Sequence, residues 1–201
     1  MNLKEYILKL DQYSYSEFLY WASNKELNEQ FWAECPNPEW MLWFANEHDI
    51  SQNIIINIVC EVVESIQYLV TEEKGSKIIK HLINTVKNFV NGKSETEEVC
   101  TAASTAVQFA DGCAIWYNEE MYDVIWAAIF TARIVYIDNY IDAACAAIEQ
   151  VTAAFATAAF ATADNSESYG RAYKNKHKES TNIVRKHIPW KLIGNKINEL
   201  Q

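Results

Sequence analysis

ISQNIIINIVCEVVESIQYLV, residues 50–70, is the stretch on which the fold turns. Its density of isoleucine and valine reads locally as a strand, because side chains branched at Cβ suit a pleated surface. Apolar residues nevertheless recur at Ile54, Ile55, Ile58, Val62, Ile66 and Leu69, a spacing that lines one side of a helix over several turns. Ordinary strands are much shorter than this run, so length decides for a helix from Ile50 to Val70.

Working outward, the same rhythm returns. Lys77 to Val90 carries Ile78, Ile79, Leu82, Ile83, Val86 and Phe89 on one side, with Gly75-Ser76 marking a break before it and Asn91-Gly92 ending it. Ser94-Glu95-Thr96-Glu97 has the form of a capping box and predicts a helix from Glu95 to about Asp111. Glu119 to Ala163 contains neither proline nor glycine. That run is too long for one ordinary globular helix, so it predicts two, with a bend near Ile137 to Tyr140. In the second, Thr152-Ala-Ala-Phe-Ala is followed by Thr157-Ala-Ala-Phe-Ala. Small residues let helix axes approach closely, and Phe155 and Phe160 are expected to fill the gaps.

The N-terminal part reads as short helices: Leu3 to Leu10, Ser16 to Ala22, Glu26 to Cys35, and an aromatic one ending near Asn46. Asn37 is placed to cap the last of these and Pro38 to occupy its first position. At the other end Asn165-Ser166-Glu167 punctuates the chain, and Tyr169 to Ile188 predicts a basic helix stopped by Pro189. The twelve residues beyond are left open between packing back through Trp190, Leu192 and Ile193 and fraying. With five glycines and three prolines in 201 residues, the chain lacks the turn punctuation of a many-stranded sheet protein. The expectation is an all-α, single-domain irregular bundle of about 8–10 helices. It divides into a short-helix part at 1–46, a long-helix core at 50–163 and a basic helix and tail at 166–201.

Most familiar chemistry is excluded by inspection. The glycines, at 75, 92, 112, 170 and 194, are too scattered for a phosphate-cradling loop or dinucleotide fingerprint. None of His48, His81, His177 and His187 has a glutamate three residues before it, so the Glu-x-x-His element of di-iron bundles is missing, as is HExxH. No Ser-x-x-Lys or GxSxG occurs. No catalytic residue, cofactor or metal is therefore assigned. Carboxylate pairs at helical spacing, Asp138 with Asp142, Glu61 with Glu64, and Glu119 or Glu120 with Asp123, read as solvated faces. One exception is considered: Arg133, Asp138 and Asp142 lie between apolar segments and form a candidate polar cluster, partly buried and charge-compensated. Trp21, Trp32, Trp40 and Trp43 read as core that holds short helices in place, not as a ligand cage.

Five scattered cysteines with no CxxC read as reduced core residues, and Lys4, Glu5, Lys9 and Asp11 interrupt the apolar run a signal peptide requires. A cytoplasmic location follows as the expectation. Ala143 to Ala163 is apolar apart from Glu149, but its alanines and threonines gain little from hydrocarbon, so it is read as a packed helix and not a span. The net charge of −10 is uneven. Residues 1–165 hold nine Lys and Arg against 24 Asp and Glu; residues 166–201 hold eight against three. An acidic body repels phosphates and steers basic partners, so nucleic acid is not expected. The basic helix is expected to be compensated within the chain or by an acidic partner patch.

Three segments resemble a known family. Glu17-Phe-Leu-Tyr-Trp-Ala, Phe31-Trp-Ala-Glu-Cys35 and Glu39-Trp-Met-Leu-Trp-Phe-Ala45 look like the N-terminal pattern of bacterial immunity proteins of the alanine-rich, all-helical type. The alanine-rich Cys145 to Ala163 and the closing Asn182-Ile-Val-Arg-Lys-His-Ile-Pro189 are similar to later parts of that pattern. The resemblance implies an all-helical protein that neutralises a cognate toxin by binding it, with Trp32, Cys35, Trp40, Trp43, Arg185 and Pro189 in structural roles. Ile50 to Asn91 departs from the family by having fewer alanines and more isoleucine and asparagine, which leaves the target open. Two other readings stand beside it: a metal-dependent enzyme or regulator using the acids around Asp138 and Asp142, and a self-associating protein that forms a homodimer through its alanine-rich face.

Overall fold

The computed structural model describes residues 2–10, 16–113, 119–163 and 166–199, with the side chains of Cys113, Glu119 and Ala163, and the whole of Asn165, outside the described residues. Among them are eleven α-helices and no strand: α1 Leu3–Leu10, α2 Ser16–Ala22, α3 Glu29–Glu34, α4 Pro38–Asn46, α5 Gln52–Glu64, α6 Glu73–Val90, α7 Thr96–Cys113, α8 Glu119–Arg133, α9 Tyr140–Ala163, α10 Ser166–His187 and α11 Trp190–Glu199. The fold is an all-α single-domain bundle. The helix beyond the expected ten is the tail, which packs back instead of fraying: Ile193 and Ile197 are buried, and Trp190 meets Phe31 edge-on at 5.6 Å.

Helices α3 and α4 begin where side chains satisfy free backbone groups. Asn28 accepts from the amides of Gln30 and Phe31, and Asn37 accepts from those of Glu39 and Trp40 with Pro38 in the first turn, as the sequence predicts for α4. Asp49, at φ 52°, adopts the left-handed conformation that reverses the chain after α4, and the Ile50 amide closes the turn on Ala45 O at 3.2 Å.

Residues 50–70 do not form one helix. α5 stops at Glu64, and a 3-10 turn covers Gln67–Leu69. The Ser65 hydroxyl donates to Val62 O at 2.5 Å, offering the backbone a local alternative to the helical ladder, and Leu69 and Val70 then bond back only three residues. The apolar rhythm survives this change, since Ile55, Ile58, Val62 and Ile66 are all fully buried. Next, α6 starts four residues before its expected Lys77, because Glu72 caps the Lys74 and Gly75 amides. Gly75 therefore lies inside a helix, where a Cβ would meet Phe109 of α7 at 3.0 Å. At α7 the capping reach-back falls one residue later than expected: Glu98 accepts from the Glu95 amide at 2.9 Å.

α9 is the bundle's central helix, packed by α4, α5, α8 and α10, with α8 its most extensive neighbour. Ala143, Ala144, Ala147, Ile148, Val151 and Ala154 are buried along it. Tyr140–Thr162 is long and apolar enough to cross a membrane, but 44% of its most apolar window is buried inside the bundle. Phe155 packs against the core, whereas Phe160 is 42% exposed and fills no gap. The reason is angular: five residues advance a helix by about 140° beyond a full turn, so the two phenylalanines cannot share a face.

Candidate functional site

The tryptophan–cysteine and arginine–proline segments, far apart in sequence, meet in the fold. Arg185 of α10 donates from Nε to Trp32 O at 3.1 Å and from Nη2 to Cys35 O at 2.6 Å, while its Nη1 reaches Thr181 Oγ1 and Asn182 Oδ1. In return Trp32 Nε1 donates to Ile188 O at 2.9 Å, next to Pro189. These carbonyls end α3, where no further helical amide follows, so a guanidinium supplies the missing donors at the negative end of the helix dipole. Cys35 itself is buried, and burial pushes its thiol up to about 12, which keeps it protonated.

Trp40 and Trp43 gather with Trp21 around Phe18, which stacks on Trp40 at 5.1 Å and meets Trp43 edge-on at 5.9 Å. This ring cluster is packing, and it leaves no cage. His48 belongs to the same core: its Nδ1 donates to Phe44 O, so Nε2 accepts from the Tyr6 hydroxyl at 2.8 Å, and burial holds its pKa down.

Arg133, Asp138 and Asp142 are all exposed, and the structure does not gather them. Arg133 lies over the Phe130 ring at 5.4 Å, and Asp142 accepts a hydrogen bond from Asn139. Among the described residues Arg133 pairs with neither acid. Glu61 and Glu64 likewise serve separate contacts. Glu61 receives Lys186 and His187 at 2.8 Å each, and Glu64 receives Lys87 at 2.5 Å.

A different polar group assembles where α4, α9 and α10 meet. One ligand-type atom from each of Glu39, Glu149 and His177 lies within 4.8 Å of the others. Each helix supplies one member: Glu39 comes from the first turn of α4, Glu149 from the middle of α9, and His177 from α10. Tyr173, one turn before His177, donates its hydroxyl to both Glu149 oxygens at 2.8 and 3.0 Å and packs against the imidazole at 4.9 Å with the rings tilted by 31°. His177 Nε2 is 3.9 Å from Glu149 Oε2, beyond hydrogen-bond reach, and is buried without a hydrogen-bond partner. Burial, then the neighbouring Glu149 charge, raises the Glu39 pKa, while the His177 imidazole and the Tyr173 hydroxyl hold Glu149 below the usual carboxylate range. The sequence carried one sign of this group, the lone carboxylate of Glu149 within an apolar helix. Nothing in the spacing linked it to Glu39 or His177, because they are brought together only by tertiary packing.

A groove of about 700 Å³ lies between α6 and α7. Glu95, Glu97 and Glu98 line it and are exposed, with Lys93, His81 and Asn88 opposite or beside them. None of these three acids has a salt bridge among the described residues. By contrast, the basic α10 is engaged from within the chain: Arg171 with Glu167, Lys186 and His187 with Glu61, and the buried Lys176 with Glu179 at 2.9 Å and Ser65 at 2.7 Å. No protein-family model, curated protein or solved structure matches this chain.

Proposed function

We propose that this protein is a stoichiometric neutralising partner, an immunity protein that occludes a basic toxin domain, and that it presents the acid-lined groove between α6 and α7 to that domain. The observation that carries this reading is the asymmetry of charge compensation. Four of the six Lys and Arg of the basic helix (Arg171, Lys176, Arg185 and Lys186) are engaged by the chain's own acids and carbonyls, while Glu95, Glu97 and Glu98 are exposed beside a groove with no salt bridge among the described residues. A field of that sign raises the encounter rate of a cationic protein and disfavours nucleic acid. The joining of Trp32, Cys35 and Arg185 supports the resemblance as well, since it gives the residues of the family pattern one shared structural task. The packing of α9 on four neighbours favours a helix of the bundle interior over a membrane span.

The test is co-expression with the toxin encoded beside this protein, with survival and co-purification as readouts. The parent chain is expected to rescue growth and form a one-to-one complex. Replacing Glu95, Glu97 and Glu98 by lysine should slow association by about 10–100-fold at low salt, and added salt should shrink the difference. Failure of the parent to rescue against any neighbouring toxin removes the functional reading. Rescue and association unaffected by the triple reversal removes the groove.

A further inference from the structure

We infer that Glu39, Glu149 and His177 form a binding site for one divalent transition-metal ion, with Zn²⁺ the best match to one imidazole and two carboxylates. The inference is independent of toxin binding and uses none of the groove residues. Three donors from three helices converge within 4.8 Å of one another. In a tetrahedral zinc site with bonds near 2.0–2.2 Å, ligand atoms stand about 3.4 Å apart. Side-chain rotations of little more than an ångström would bring the three donors to that spacing.

Direct contact between these groups is the competing explanation, and the geometry disfavours it. An imidazole held only by a carboxylate would sit at about 2.7–2.9 Å from it. Here His177 Nε2 stands 3.9 Å from Glu149, buried and without a hydrogen bond. That leaves a buried lone pair or N–H unsatisfied, which native interiors rarely tolerate. Two glutamates also face each other across the gap, with like-charged oxygens within 4.8 Å of each other. A dication answers both problems, accepting the nitrogen lone pair and neutralising the two carboxylates.

The surroundings have the features of a metal site. Tyr173 donates to both oxygens of Glu149, orienting that carboxylate as outer-shell donors orient ligands. The Glu149 side chain is 48% exposed and opens a path from solvent, while that of His177 is 16% exposed. The fourth position of a tetrahedral site is left to water. The imidazole donor favours zinc over magnesium or calcium, which prefer six or more oxygens. Bound there, the ion would tie α4, α9 and α10 together.

The test uses the full chain stripped with chelator. Titration with ZnCl₂ followed by calorimetry should show one equivalent bound, and saturating zinc should raise the melting temperature by roughly 5–10 °C. Mg²⁺ and Ca²⁺ should produce little shift. Co²⁺ should give the intense visible bands of a four-coordinate site. His177→Gln, Glu149→Gln and Glu39→Gln should each weaken zinc binding at least 10-fold and abolish the cobalt bands, while circular dichroism in chelator stays helical. Absence of stoichiometric zinc binding by the parent chain overturns the site. So does equal binding by His177→Gln and Glu149→Gln, which would trace the metal to cysteines elsewhere.

Discussion

Replacing Arg185 by methionine tests how the two ends of the chain are held together. Methionine keeps much of the aliphatic stem and removes the guanidinium, so the change is chiefly in hydrogen bonding. Arg185 makes two charge-assisted bonds to backbone carbonyls at the end of α3, at 3.1 and 2.6 Å. Such bonds contribute about 1.5–3 kcal/mol each, and a stranded carbonyl costs about 1–3 kcal/mol when water cannot reach it. The side chain is only half-buried, so water recovers part of the loss, and a net destabilisation of about 2–4 kcal/mol is expected. For a chain of this length that corresponds to a fall in melting temperature of about 5–15 °C. Urea unfolding at constant m-value, read by circular dichroism and by tryptophan fluorescence, measures it. Arg185→Lys should recover less than half, because a single ammonium cannot reach both carbonyls in the fork geometry. Trp32→Phe, which removes the bond to Ile188 O, should be non-additive with Arg185→Met because both act on one junction. A loss below about 0.5 kcal/mol for Arg185→Met would refute the argument, since that is the range of an ordinary surface change.

Other outcomes follow from single sites. Gly75→Ala should destabilise despite the better helix propensity of alanine, because its Cβ would meet Phe109 at 3.0 Å and Val70 at 3.2 Å; Gly170→Ala in α10 meets nothing within 4 Å and should stabilise by about 0.5–1 kcal/mol. Thermal melts of the pair should therefore move in opposite directions. Glu61, held below its ordinary 4.5 by Lys186 and His187, binds fewer protons folded than unfolded, so its contribution is complete above that value and lost as pH falls below it. Glu61→Gln should flatten stability against pH in that acid range. Glu39 has the opposite sign: burial and Glu149 raise its pKa, so its ionisation opposes folding as pH rises above 4.5, and Glu39→Gln should raise the melting temperature at pH 7 in chelator. Cys60 is fully buried with its thiol pushed up to about 12, and like Cys35 should resist disulfide reagents at pH 8 until the chain is unfolded, as followed by mass spectrometry of labelled peptides.

Periodicity and capping chemistry are local properties, and they were enough to specify most of the helices before any contact was known. Asn37-Pro38 starts α4 and Pro189 follows the end of α10 because caps and proline act within one turn of themselves. The stop at Ser65 was not legible. A serine can bond back to its own helix or leave it undisturbed, and which occurs depends on the packing of its neighbours. Gly75 carried a second ambiguity, since a glycine marks either a break or a close approach, and only Phe109 on α7 decides between them.

By itself, then, the chain's apolar rhythm determined an all-helical bundle, and its composition determined an acidic body with a basic C-terminal segment. Convergence was settled in three dimensions alone. Arg185 reaches Cys35 across 150 residues, and Glu39, Glu149 and His177 approach one another from three helices. The physical reason is that hydrogen bonds and like-charge juxtapositions depend on distances of a few ångströms, and such distances between remote segments are products of how helix faces pack, which no spacing along the chain encodes.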